Sequence, residues 1–437
     1  MDSTREQFAR HMEVLPQGVC SSHRNSEPVR IFVRAKGAHM WDSEGRRYTD
    51  FHGAFAPMLL GHNDDDVNRA LLEGIEQNAS LFGAGASPWE EEFARLIVES
   101  VPSADKAVLV NTGSEATYIA IRVARAATVR DKIIVVQGGY NGWHNDVAFN
   151  LMDPWEKVAS YRPGEPMDLL PFTSGMPANQ RDNTVVVQFN DLEAVEKLMQ
   201  SGEAAGIILE PVLQNIGVVK PKPGYLQGLR DLCDRYGCVL IFDEVKTGFR
   251  QGLGGYQSIC GVMPDLCTFG KAVANGYPLG VVAGPAEYMD YFLNEDPSKY
   301  VLVAGTFNGH FVGALPGIAV LKKLKNRGKE IYGHLEMLGA RMEAGLASIW
   351  TAKGIPFHTA RLGSAFVTYF MDHEPEHWND IAEHHDAAFD IRFRQQLIRS
   401  RVYYVAMPAK QCSISFAHTK DDIDQSLEII ERVAKQL

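Results

Sequence analysis

No run of apolar residues in this 437-residue chain approaches the ~18–20 that a membrane-spanning helix needs. Basic charge is not in excess either: 43 Lys and Arg stand against 54 Asp and Glu, a net charge of −11. That balance gives a nucleic acid no electrostatic footing. Cysteines are few: Cys20, Cys233, Cys238, Cys260, Cys267 and Cys412 lie scattered, with no CxxC pair. The spacing argues against a disulfide framework and against a zinc site, and fits reduced, mostly buried thiols. The opening MDSTREQFARHMEVLPQG lacks the apolar stretch of a secretory signal, so the expectation is a cytoplasmic protein. No GxGxxG turn follows the first strand with an acid about 20 residues on, which leaves a nicotinamide-dependent dehydrogenase without its fingerprint. Internal repeats and low-complexity tracts are also missing.

What is present is a chain 45% hydrophobic, enough for a sizeable core and two domains. From Val67 the pattern alternates. AVLV (107–110), KIIVV (132–136), TVVVQF (184–189), GIILEP (206–211), VLIFDEV (239–245) and LGVVAG (279–284) read as strands with few polar interruptions. Helical segments fall between them, such as the Ala-rich stretch to about Thr128 and GYLQGLRDLCDRYG (224–237), which Gly237 stops. Near-continuous apolar strands alternating with helices predict an α/β fold, a mostly parallel sheet covered on both faces. Ligands in such folds sit at the carboxyl ends of the strands. The C-terminal third changes character, with long amphipathic segments closing in CSISFAHTKDDIDQSLEIIERVAKQL. It predicts a smaller α+β domain, completed by the N-terminal segment around HMWDSEGRRYTDF (39–51). The expected division is 1–65 (N-terminal part of the small domain), 66–312 (large domain) and 313–437 (C-terminal part of the small domain).

The strand VLIFDEV runs into two acids with no polar lead-in. A buried carboxylate without a partner costs several kcal/mol or takes up a proton, so Asp243 calls for a cation. The stretch TFGKAVANGYPLG (268–280) supplies an amine, Lys271, set among small residues 28 positions on, from 243 to 271. That distance leaves room for one helix and one strand, so adjacent strand ends can present acid and amine to one cleft. A lysine in an apolar cleft loses charge and becomes nucleophilic, suited to a Schiff base. The group that would want both is pyridoxal phosphate: its protonated ring nitrogen pairs with Asp243, and its aldehyde reacts with Lys271. NTGSEAT (111–117) lies between strand and helix, where Gly113 permits close approach, Ser114 adds a hydroxyl, and the first helical amides face an anion. In GGYNGW (138–143) the glycines permit a tight turn and Tyr140 can stack on a ring.

These stretches resemble the class III aminotransferases, which are fold-type-I pyridoxal-phosphate enzymes. The likeness is nearest to glutamate-1-semialdehyde aminomutase and its transaminase relatives. It extends over nearly the whole chain: LPQGV, DSEGRRYTDF, LLGH, NTGSEAT, GGYNGWH, FNDLEAV, EPVLQNIG, FDEVKTGFR, GKAVANGYPLG, GTFNGH and FAHTKDDID. The resemblance implies a large domain on a mostly parallel seven-stranded sheet, and a homodimer with shared active sites. It implies that Lys271 carries the cofactor and shuttles the proton, and that Asp243 pairs with the ring nitrogen. Val245 and Tyr140 then pack on the two ring faces, and Gly113 and Ser114 bind phosphate. Thr306 reaches the phosphate of the partner subunit, and Glu210 and Asn215 support the ring side.

The departures bear on the substrate. The family's Tyr-His-Gly reads Tyr140-Asn141-Gly142. The arginine that holds a carboxylate in the aminomutase aligns with Arg24, with Arg30 as the rival if a gap shifts. Where the aminomutase has a glutamate before SFAHT, this chain has Lys410, a cation able to take a second acid group. That exchange favours an aminotransferase acting on an amino-acid-like donor and a keto acceptor. An intramolecular aminomutase, or a racemase or decarboxylase, is the alternative. HEPEHWNDIAEHHD (373–386) is histidine-rich, but without a rigid ligand spacing it reads as a solvated charged helix, not a metal site.

Overall fold

The computed structural model describes residues 4–80, 85–152, 158 and 160–437. They form two units, Asp65–Tyr332 with Pro375–Glu383, and Met1–Asp64 with Gly333–Glu374 and His384–Leu437.

The first unit is built on seven strands: β1 (Lys106–Val110), β2 (Lys132–Val136), β3 (Thr184–Val187), β4 (Ala204–Leu209), β5 (Val239–Asp243), β6 (Leu266–Phe269) and β7 (Gly280–Gly284). Their order across the sheet is β1-β7-β6-β5-β4-β2-β3. Only β7 runs antiparallel to its neighbours β1 and β6; the other pairs are parallel. The α/β expectation from unbroken apolar strands is met: every residue of β4, β5, β6 and β7 is buried. Leu240, Ile241 and Phe242 show no exposed surface, and each such side chain contributes about 1.5–3 kcal/mol on burial. Six strands point the same way, so the turns after β1, β2, β4, β5 and β6 gather at one edge of the sheet.

The second unit carries a four-stranded sheet in the order Phe32–Lys36, His39–Asp42, Arg47–Asp50, Val402–Tyr403, and a three-stranded sheet of His358–Leu362, Ala365–Tyr369 and Cys412–Ser413. The N-terminal hairpin is thus joined to the C-terminal part by parallel pairing of Thr49 with Val402.

The division differs from the sequence expectation in two places. A single helix, Phe311–Lys353, runs through the expected boundary at 312/313, and the units part inside it at Tyr332/Gly333. Its first turns belong to the large unit because glycines let them approach closely. A Cβ on Gly313 would lie 2.3 Å from the Pro278 carbonyl, and one on Gly317 would lie 2.5 Å from Phe93. Pro375–Glu383 also joins the large unit. The helix here is Trp378–His384, and its Trp378 and Ile381 are buried, so it is not the wholly solvated helix its charges suggest. Trp378 covers Gly138, where a Cβ would meet it at 2.8 Å, and Asn379 Oδ1 accepts from Gln188 Nε2 at 2.7 Å. No helix among the described residues is long and apolar enough to cross a membrane.

Candidate active site

The edge formed by the strand ends holds a cavity of about 190 Å³ lined by Gly113, Ser114, Tyr140, Asn141, Gly142, Asp243, Val245 and Lys271.

One wall is the start of the helix Gly113–Thr128. Thr112 caps it: its hydroxyl accepts from Glu115 N at 3.1 Å, and the Glu115 carboxylate accepts from the amides of Asn111 and Thr112 at 2.7 and 3.0 Å. The first amides of a helix have no partner within it. With the capping box occupied by Asn111, Thr112 and Glu115, the amides of Gly113 and Ser114 remain to face an anion, aided by the helix dipole. A Cβ on Gly113 would lie 2.9 Å from both methyls of Val245. Gly113→Ala therefore forces apart the phosphate turn and the residue expected against the ring. Overpacking of this kind costs about 1–3 kcal/mol. We expect cofactor affinity to fall by roughly tenfold or more, measured by titrating the stripped protein and following absorbance.

The acid wall is the end of β5. Asp243 is buried, with only 2% of its surface exposed. Its Oδ1 accepts from Val245 N at 3.0 Å and Thr268 Oγ1 at 3.1 Å, and its Oδ2 accepts from Asn141 Nδ2 at 2.9 Å. Burial pushes its pKa up; the three donors and the charge of Lys271 oppose the rise without cancelling it. Such a carboxyl is short of one positive charge. Glu244, the next residue, points elsewhere, as strand alternation requires. It accepts from Thr247 Oγ1 at 3.1 Å and from Gln257 N and Nε2 at 3.2 Å, and so ties down the following loop.

Lys271 follows β6. Burial lowers its pKa, opposed by Asp243 and Glu210 and reinforced by Arg250. Among the described residues none accepts a hydrogen bond from its Nζ. Its φ of +48° lies in the left-handed region, a conformation that costs roughly 1–2 kcal/mol outside glycine and is found where geometry is functionally imposed.

Six of the sequence-predicted residues meet in this cavity: Gly113, Ser114, Tyr140, Asp243, Val245 and Lys271. The others lie elsewhere. Glu210 and Asn215 do not line the cavity and instead hold the Tyr140 loop. Glu210 Oε1 accepts from Tyr140 N at 3.0 Å, its Oε2 accepts from Gln214 N at 3.0 Å, and Asn215 Nδ2 donates to Gly138 O at 3.1 Å. Thr306 is exposed and lines a separate cavity of about 350 Å³ with Ser87, Trp89, Glu90 and Asn308. In the small unit, Arg24 and Arg30 line a cavity of about 550 Å³ with His23, His52, Phe55 and Tyr403. Arg30 is committed: its Nε donates to Tyr48 Oη at 2.8 Å and its Nη1 to Val29 O at 2.7 Å. Lys410 is buried, with its carbonyl held by Arg394 Nη2 at 2.9 Å. Its charge adds to burial in keeping the His23 pKa low. The small-unit cavity is larger, but the one at β5 has the chemistry: an amine of lowered pKa, an acid seeking a cation, and an anion cradle. Asn141 is the residue that sequence reading passed over. Its signal was the departure from Tyr-His-Gly.

A family model described as "Aminotransferase class-III" matches residues 20–433. The chain is a class III aminotransferase family member. It is 37% identical to the glutamate-1-semialdehyde 2,1-aminomutase of Desulfovibrio desulfuricans, over 98% of this chain and 99% of that protein. Among solved structures, an omega-transaminase from Sphaerobacter thermophilus superposes with a TM-score of 0.89 at 28% identity, covering 99% of this chain and 97% of the other. A transaminase solved with PLP bound gives 0.86 at 25% identity, covering 100% and 98%. Pyridoxal phosphate is the cofactor of this family, and the cavity suits it: a buried acid with no salt bridge among the described residues, an amine of lowered pKa, and the first amides of a helix beside a glycine whose Cβ would press on Val245.

Proposed function

We propose that the protein is a cytoplasmic, homodimeric pyridoxal-phosphate aminotransferase, moving an amino group from an amino-acid-like donor to a keto acceptor in two half-reactions. The observation that carries this reading is the gathering of Asp243, Lys271 and the Gly113–Ser114 cradle around one cavity. Bound there, the cofactor supplies an aldehyde that captures amines and a protonated ring that withdraws electrons from the substrate carbon. The chain's own residues do the rest. Gly113 and Ser114 hold the phosphate, and Tyr140 and Val245 confine the ring. Asp243 keeps the proton on the ring nitrogen. Lys271 Nζ, its pKa lowered by burial, takes the proton from the amino-bearing carbon of the donor and delivers it within the cavity. Thr306 serves the phosphate held by the second copy.

The aminomutase names of the relatives support a second reading, an intramolecular transfer. One experiment separates the two. With donor but no keto acid, an aminotransferase stops after one equivalent of keto product per site and resumes when acceptor is added. An aminomutase turns over without acceptor and forms no keto product. We expect the stop. Continued turnover without acceptor overturns the proposal in favour of the mutase.

Arg24 is assigned to the donor's carboxylate because Arg30 is held by Tyr48 and Val29, and Lys410 to a second acid group on the substrate. A hydrogen bond to a charged group is worth about 1.5–3 kcal/mol. Arg24→Ala should therefore lower kcat/KM for carboxylate donors by roughly 10- to 100-fold, chiefly through KM, and leave simple amines nearly unchanged. Equal losses for both donor classes would remove Arg24 from the substrate site.

A further inference from the structure

We propose that Asn141 is a positioning residue: its side-chain amide fixes the buried Asp243 carboxylate toward the ring nitrogen of the cofactor and keeps it an acceptor there. This rests on the cofactor reading above and extends it to a residue that touches the acid.

The geometry carries the argument. Val245 N and Thr268 Oγ1 both donate to Oδ1 of Asp243, while Oδ2 receives one bond, from Asn141 Nδ2 at 2.9 Å. An ionised carboxylate accepts about four hydrogen bonds. Two on one oxygen and one on the other leave Oδ2 the underused acceptor. Val245 and Thr268 thus load Oδ1, and Asn141, the one donor to Oδ2 among the described residues, fixes the plane in which that oxygen presents its remaining lone pair. Asn141 is itself held, being 3% exposed, with its backbone carbonyl accepting from Thr117 Oγ1 at 2.6 Å. Thr117 lies on the helix whose first amides form the phosphate cradle. Phosphate end and ring-nitrogen end are thus linked through Thr117, Asn141 and Asp243. An amide does not titrate, so its donation to Asp243 is the same at every pH. The charged and titratable groups facing Asp243 are Lys271 after β6, Glu210 after β4 and Tyr140 on the loop after β2, with Arg250 acting on Lys271.

The test uses the full chain, stripped of cofactor, titrated with pyridoxal phosphate and with 1-deazapyridoxal phosphate, in which a carbon replaces the ring nitrogen. In Asn141→Leu, near-isosteric but without a donor, pyridoxal phosphate should bind roughly 10- to 100-fold more weakly, the range for a hydrogen bond to a charged group. The deaza analogue, with no ring nitrogen for Asp243 to serve, should bind as it does to the wild type. A purely structural role would weaken both alike, and that result overturns the proposal. Asn141→Asp provides the second arm and preserves shape. While protonated, the introduced carboxyl still donates to Asp243; once ionised, it opposes it. The ratio of wild-type to N141D affinity for pyridoxal phosphate should therefore rise as pH is raised. A constant ratio also overturns the proposal. Failure of the wild type itself to bind pyridoxal phosphate would instead refute the cofactor reading, and this inference with it.

Discussion

Replacing Lys271 by alanine should lower turnover by about 10⁴-fold or more and remove the visible absorbance of the lysine-linked cofactor. Two contributions are lost together. The amine that captures the aldehyde disappears, and so does the group that moves the proton between carbons; the latter alone is worth roughly 10²–10⁴ in rate. Burial prepares Lys271 for both tasks, because it lowers the pKa of the amine from its ordinary value. The cradle at Gly113 and Ser114 and the acid at Asp243 remain, so the variant should still take up pyridoxal phosphate reversibly. Substantial turnover with the absorbance intact would assign the chemistry to another residue.

Asp243→Asn should reduce kcat by roughly 10²–10⁴-fold, because breaking a buried ion pair costs about 3–5 kcal/mol. The amide cannot balance a protonated ring nitrogen. Its own NH₂ would take the place of Oδ2, which now accepts from Asn141 Nδ2 at 2.9 Å, and the Asn141 amide can turn over to restore that hydrogen bond. The same substitution should act oppositely on the protein without cofactor. There the Asp243 pKa is raised by burial, so folding favours the protonated form. For an acid shifted upward, the stabilising contribution is full below the unfolded-state pKa and is lost as pH rises through the folded-state value. At neutral pH the stripped wild type carries that penalty and the D243N variant does not. Calorimetry should therefore find the stripped variant at least as stable as the wild type near pH 7. Spectroscopy and kinetics should find the loaded variant impaired. A large loss of stability in the stripped variant would mean that Asp243 serves the fold.

Both expectations follow from chain-local features. VLIFDEV is a buried strand ending in an acid, GKAVANG places a lysine among small residues at the next strand end, and NTGSEAT starts a helix with a glycine and a hydroxyl. Each is a short-range statement about hydrophobicity, backbone freedom and capping, so each was legible without coordinates. The parallel sheet then follows, because unbroken apolar strands need cover on both faces. The resemblance supplied what spacing does not, such as the seven strands and the assignment of Val245.

Other features depend on distant parts of the chain meeting. Gly313 and Gly317 look like ordinary helical residues until Pro278 and Phe93 press against them, and this contact places the boundary at Tyr332 and not at residue 312. Trp378 sits in a charged segment whose polarity suggests solvation, yet it caps Gly138 some 240 residues earlier. Glu210 and Asn215 follow a strand aimed at the site, but hydrogen bonds to the Tyr140 loop occupy them. Motif alignment points to Arg24 and keeps Arg30 as a rival, and only the fold shows Tyr48 engaging Arg30. The amino-acid order alone determined which groups stand at the strand ends, because burial and helix capping act within a few residues. Only the tertiary structure decided which of them face the cavity, because hydrogen bonds and close packing depend on positions in space that residues hundreds apart supply to one another.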